Sequence, residues 1–193
     1  MGAEGGNNYE KKAVLDELSI GKISKIIGVK NIIPFMEFRN TNVEINRGKD
    51  KGWAQIYGID FKDIEKLGFK IGEGIFPMNK NEAIAGSGIA EQFYREKRGE
   101  YNPVKVDLLK DKFELSFIQY NSENMEEDKL VKKINITCVL TPSFDMSNYY
   151  LLISKEYFIE IANLLNKNIK RSEEKIPINK YSIAEVQVGK EGD

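Results

Sequence analysis

The sequence contains no histidine. Without imidazole there is no Ser-His-Asp triad, no Cys-His pair and no His-ligated zinc, haem or copper. Its single cysteine, Cys138, excludes an internal disulfide, an iron–sulfur site and a thiolate zinc site. The surrounding residues, Ile134-Asn135-Ile136-Thr137-Cys138-Val139-Leu140, read as a buried strand in which cysteine packs as a small hydrophobe. Long apolar runs are also missing. A spanning helix needs ~20 apolar residues, and the longest run here, Tyr149 to Ile153, is strand-sized. Charge of neither sign dominates: Lys plus Arg is 29, Asp plus Glu is 30, and the net charge is -1. A dedicated nucleic-acid binder needs a basic surplus to neutralise phosphates, so no nucleic-acid partner is expected. The start, Met1-Gly2-Ala3-Glu4-Gly5-Gly6, has neither the basic nor the hydrophobic region of a signal peptide. Gly6 stands where a myristoylation start wants Ser or Thr. Gly5, Gly6, Gly189 and Gly192 fit either flexible termini or a chain excised from a larger protein.

What is present is a globular mixture. The 193 residues are 41% hydrophobic, 31% charged and 10% aromatic, enough for one domain or two small ones. Ser19 is placed to cap a helix over Ile20–Ile27 whose isoleucines form one face, with Gly28 ending it and Val14, Leu15 and Leu18 adding a turn upstream. Val29 to Phe38 reads as a strand broken or bent at Pro34, and Asn42 to Asn46 as a half-buried strand. The charged turn Arg47–Gly52 then leads into a strand from Trp53 to Ile59, giving a hairpin. Asp60 caps a short helix carrying Phe61, Ile64 and Leu67, and Gly68 stops it. After a glycine-punctuated stretch, Glu82–Ala85 is a strand and Ser87 opens a helix running to Gly99. Val104–Leu108 and Phe113–Phe117 alternate as a hairpin turned at Lys110-Asp111. Asn121 to Lys133 reads as an exposed loop, and Ile134–Leu140 and Tyr149–Ile153 as buried strands. Ser154 caps a helix with Phe158, Ile161, Ala162 and Leu165 at i, i+3, i+4 and i+7. Lys167–Pro177 is a charged loop, and Tyr181–Val188 a closing strand with Ala184, Val186 and Val188 on one face. About eight or nine strands with three or four short helices, mixed in order, make an α+β fold with mostly antiparallel strands.

Residue chemistry singles out no catalytic, cofactor-binding or metal residue. Glu82 to Glu91 has the strand, Gly-x-Gly and helix order of a dinucleotide turn, but Glu91 occupies the third glycine position. The tight-turn reading gives Gly86 a backbone role and makes Ser87 the cap. No Gly-x4-Gly-Lys-Ser/Thr phosphate loop is present. Glu126-Glu127-Asp128 and Glu173-Glu174 read as solvated charge runs, not a glycosidase pair or calcium site. Trp53 and Tyr149-Tyr150 suit packing better than stacking on a ligand. Asp60, Asp107 and Asp145 read as cap and turn residues.

The order of segments is more telling. A capped helix leads into Ile27-Gly28-Val29-Lys30-Asn31-Ile32-Ile33-Pro34, then a hairpin ends in Ile56-Tyr57-Gly58-Ile59-Asp60. Leu67, Gly72 and Asn81-Glu82-Ala83-Ile84-Ala85-Gly86 follow, with Ile89-Ala90 beginning a helix. The strand Ile134–Leu140 precedes Asp145 and Tyr150-Leu151-Leu152-Ile153-Ser154. This ordered set, over about Leu18 to Leu165, resembles the extracytoplasmic core domain of MacB-like and FtsX-like ABC transporter permeases. Two departures stand out. Cys138-Val139-Leu140-Thr141 lacks the family's glycine after the late valine, and Asn121–Lys133 exceeds a minimal hairpin loop.

The resemblance implies a porter-like α/β subdomain built from both chain ends, residues 1–60 and 148–193, with a smaller β-rich lobe, 61–147, inserted. It implies a domain on the extracytoplasmic face of the cell membrane, here as an excised fragment, non-catalytic and without a cofactor. Its partners would be the transmembrane part of the same permease, a cytoplasmic ABC ATPase and a second permease subunit. Its client would be a peptide, antibiotic, lipoprotein or cell-wall hydrolase. Two other readings remain open: a free-standing soluble α+β binding or adaptor protein, and an enzyme using only Asp, Glu, Lys, Tyr or Ser chemistry.

Overall fold

Apolar residues that alternate along short strands must find cover on both faces of a sheet, and the fold follows from that demand. The structure, a computed structural model, describes residues 15–120, 127–143, 145–171 and 174–189. Expectations touching Val14, Glu126, Glu173, Gly5, Gly6, Gly192 and the stretch 121–126 lie outside the described residues. The strands are β1 (Val29–Glu37), β2 (Asn42–Arg47), β3 (Asp50–Gly52), β4 (Gln55–Ile59), β5 (Ile71–Gly74) and β6 (Glu82–Ala85). They continue as β7 (Tyr94–Lys97), β8 (Glu100–Pro103), β9 (Phe113–Tyr120), β10 (Glu127–Leu140), β11 (Tyr150–Ser154) and β12 (Ile183–Val188). Two α-helices, α1 (Glu17–Ile23) and α2 (Lys155–Leu165), and four short 3-10 turns complete the described chain. The fold is α+β.

The strand order is β12-β1-β4-β11-β6-β10-β9-β2-β3-β7-β8, with β5 on β10. The pairs β4–β11 and β6–β10 are parallel and the other strand pairs antiparallel. β10 is common to two halves. Its residues Glu127 to Ile134 pair with β9, while Asn135 to Val139 pair with β6. From the expected insertion 61–147, β7, β8 and β9 lie beside β2 and β3, whereas β6 lies between β11 and β10.

Between Ile136 and Cys138 the pairing with β6 skips a residue, placing a bulge at Thr137. The bulge flips the pleat. Ile134 and Ile136 join Ala83, Ala85, Leu151 and Ile153 in a large core under α2. Cys138 and Leu140 join Ile84, Leu152, Tyr57 and Ile59 in a smaller core covered by Ile64 and Leu67. Cys138 is fully buried, as its neighbours predict, and burial pushes its thiol up. The large core spans both halves: Phe158 of α2 lies 4.2 Å from Phe38, which lies 4.8 Å from Phe117 of β9. Helix and sheet meet closely at Gly58, where a Cβ would fall 2.6 Å from that of Phe158.

α2 forms where its periodicity places it, and the Ser154 hydroxyl accepts the Tyr157 N–H at 3.1 Å. Several expected elements are corrected. Asp16, not Ser19, caps the first helix by accepting the Ser19 N–H at 2.7 Å, and the helix ends at Ile23 with no residue buried. An acidic side chain at the true N-cap outcompetes a serine three residues later. The hairpin after β2 uses β3, whereas β4 pairs with β1 and β11. The helix expected from Ser87 to Gly99 is one 3-10 turn, Ser87–Gln92, followed by the hairpin β7–β8. Val104–Leu108 forms no strand, and β9 finds β2 and β10 instead. Residues Glu127 to Lys133, expected in a loop, extend β10. β1 runs through Pro34 unbroken, with its irregularity between Val29 and Asn31.

Candidate functional site

A cleft of about 790 Å³ opens where β5, the end of β10, the 3-10 turn at Ser87 and the loop 105–111 converge. Its walls mix charged and polar side chains, Arg47, Glu73, Lys105 and Asp111 among them, with an apolar lining that includes Leu108 and Val139. Next to the lining residue Glu73, Gly74 brings β5 close to β10. With φ +86° and a would-be Cβ 2.1 Å from the Thr137 carbonyl oxygen, it is a position that only glycine fills without strain.

One wall is an ion network built around Asp50, which is only 1% exposed. Arg47 donates to one Asp50 carboxylate oxygen through Nη2 at 2.7 Å and Nε at 3.1 Å. Arg95 donates to the other through Nε at 2.6 Å. The remaining arm of Arg47 reaches Asp111 at 2.7 Å and the Lys105 carbonyl at 3.0 Å. Asp111 also accepts the Asp107 N–H at 2.9 Å, and the Asp107 carboxylate accepts the Leu109 and Lys110 N–H groups. The hydrogen bond from Arg95, aided by Arg47, holds the Asp50 carboxyl below its ordinary value although burial opposes it. Arg47 does the same for Asp111. The network therefore fastens the β2–β3 hairpin to β7 and to the loop 105–111. Its acids and bases are occupied with one another and offer no proton at neutral pH.

Ser87 does not cap its turn. Its hydroxyl donates to Asn148 Oδ1 at 3.0 Å, and that oxygen also accepts the Ser143 N–H at 2.9 Å. Gly86 has ordinary extended backbone, so its role is space: a Cβ there would meet the Ser147 carbonyl oxygen at 2.2 Å. Asp60 and Asp145 cap their 3-10 turns by accepting the N–H of Lys62 at 3.0 Å and of Ser147 at 2.8 Å. Trp53 is half-exposed with its ring 6.2 Å from Tyr149, and Tyr150 packs edge-on against Tyr57. Burial pushes the Tyr57 phenol up to about 12. Glu127 and Asp128 are exposed on β10. No group of three or more His, Cys, Asp or Glu side chains suited to a metal ion occurs among the described residues. No helix among them is long and apolar enough to cross a membrane.

The Asp50 network escapes the sequence because its members lie in four segments that read separately as charged turn, helix, strand and hairpin turn. A carboxylate three residues after Arg47 in a charged turn was the sole local signal.

No protein-family model matches the chain, and no curated protein does. Among the solved structures that resemble it are two extracytoplasmic domains. The extracellular domain of a noncanonic ABC-type transporter, YknZ, from Gram-positive bacteria is 12% identical, with a TM-score of 0.49 over 92% of this chain and 75% of that one. The periplasmic region of MacB from Actinobacillus actinomycetemcomitans is 13% identical, with a TM-score of 0.45 over 100% of this chain and 73% of that one.

Proposed function

We propose that this chain is the extracytoplasmic domain of an ABC permease subunit, a body that is moved by an ATPase across the membrane and that itself moves a client. One observation carries the reading. The segments whose order resembles the permease family fall on β1, β4, β6, β10 and β11, and those strands stand side by side as β1-β4-β11-β6-β10. Segments scattered over more than a hundred residues of sequence therefore build one continuous scaffold.

Work in such a system comes from nucleotide-driven rearrangement of membrane helices, and the domain has only to transmit displacement. Close-packed interiors with strands shared between layers do this, because they resist compression. The mutual pairing of Arg47, Asp50 and Asp111 fits a role in which no residue need be catalytic and no cofactor is required. The partners proposed are the transmembrane part of the same permease, a cytoplasmic ABC ATPase and a second permease subunit. The client is a peptide, antibiotic, lipoprotein or cell-wall hydrolase.

The test is to tag the chain in its native genomic setting, solubilise membranes in mild detergent and purify the complex. The expected result is recovery from the membrane fraction with a stoichiometric ABC ATPase. Recovery as a free protein of this chain's size from the soluble fraction, without an ATPase, would favour the adaptor reading and overturn this one.

A further inference from the structure

The turn between α1 and β1 is apolar where it should be polar. Ile27 is 101% exposed and Ile26 57% exposed. Val188 of β12, 70% exposed, belongs to the same tip because it pairs with Val29, and the Gly189 N–H donates to the Gly28 carbonyl at 2.8 Å. Turns ordinarily carry polar residues over water. Gly28, with φ +90°, sets the tight reversal that holds the two isoleucines outward.

The charges on the segment that forms this turn are of one sign. From Leu18 to Met36 the chain has three lysines, Lys22, Lys25 and Lys30, and no acidic residue. Lys22 and Lys25 make no ion pair among the described residues, and the Lys30 side chain lies over Gly189. On the elements beside it, Asp63 pairs with Lys66, Glu65 is exposed on the 3-10 turn whose Lys66 carbonyl accepts from Gln187, and Glu185 lies opposite Ile33, toward the middle of β1. Lys22 and Lys25 thus put positive charge, without an ion pair among the described residues, at the point where the isoleucines protrude.

We propose that this tip, Lys22 to Lys30 with Val188, rests on an anionic lipid surface, Ile26 and Ile27 entering the acyl boundary while Lys22 and Lys25 reach the headgroups. A lipid surface is favoured over a protein because the feature is a narrow protrusion. A protein partner would need a matching groove, whereas a bilayer yields to a small apolar wedge and its headgroups meet lysines at any angle. The inference deepens the membrane-anchored reading and is tested without it, since the isolated chain should bind vesicles with no ATPase present.

The experiment is flotation of the full 193-residue chain with vesicles of phosphatidylglycerol and phosphatidylcholine in equal parts, and with phosphatidylcholine alone. Binding to the anionic vesicles that weakens as salt is raised is expected. The double variant Lys22→Gln/Lys25→Gln should bind about thirtyfold more weakly, from the usual attraction per surface lysine. Ile26→Ser/Ile27→Ser should lose binding to a similar degree, and Met78→Ser, exposed elsewhere, should bind like the unaltered chain. Circular dichroism and denaturation midpoints should be unchanged in all three, because the altered side chains are exposed. No binding to anionic vesicles, equal binding by the double variants, or binding indifferent to lipid charge would each overturn the proposal. So would loss of a purified protein partner by the tip variants without any vesicle binding. Vesicle binding that persists where no ATPase co-purifies would leave the tip assigned and the permease reading refuted.

Discussion

Asp50 is buried between Arg47 and Arg95, and its carboxyl titrates below the ordinary 3.8. A carboxyl held lower in the folded than in the unfolded chain adds stability that is fully present above the unfolded value and is lost as pH falls through the folded one. Asp111, held by Arg47, and Glu160, held by Lys80 and Lys132, act in the same direction. The denaturation midpoint should therefore be flat from pH 7 to about pH 5 and fall steeply below about pH 4. Asp50→Asn should cost about 2 kcal/mol at pH 7, because Arg47 and Arg95 lose a charged partner yet retain access to water. It should also flatten the acid branch. A variant as stable as the parent at pH 7, with an unaltered acid limb, would show that the network holds nothing together. The sequence did not reveal this triad, because pairing between β3 and β7 brings Arg95 to Asp50 across forty-odd residues.

At the level of elements, local signals decided what could be read. α2 has apolar residues at helical spacing and a serine cap, and it folds accordingly. β4, β6 and β11 are short apolar runs bounded by caps or glycines, and they too fold where expected. The segment 87–99 carries apolar residues at similar spacing but turns into a hairpin, since Phe93 is needed in the core against Phe113 at 5.5 Å. Lys129 to Lys133 looks like solvated loop by composition, yet one face of β10 there is simply open to water while the backbone pairs with β9. The bulge at Thr137 was not legible either, because strict alternation would keep Ile136 and Cys138 on one side. It leaves the Thr137 hydroxyl buried with no hydrogen-bond partner among the described residues. Thr137→Val should accordingly raise stability by about 1 kcal/mol, read as a higher urea midpoint with unchanged slope. A lower midpoint would reveal a partner for that hydroxyl, such as a bound water.

For the molecule as a whole, the α+β class and the central strands were readable from sequence, but the arrangement of the two halves was not. A single sequence carries no information on which distant strands pair. Both halves share β10, and one core runs from α2 through Phe38 to Phe117. Unfolding should therefore occur in one transition. Trp53 fluorescence, reporting the junction of β3 and β4, and far-ultraviolet circular dichroism should give coincident urea curves. Two separated midpoints would mean that the halves are independent units.

The 14 residues of β10 have a further meaning. At the rise of an extended chain they measure about 45 Å, longer than most strands in proteins of this size. Because each end is stitched to a different set of neighbours, a tug on β5 or β6 is delivered to β9 along one covalent strand, through the bulge at Thr137. The molecule has the build of a tie rod, and any bending between its halves would have to stretch or break that strand's own ladder.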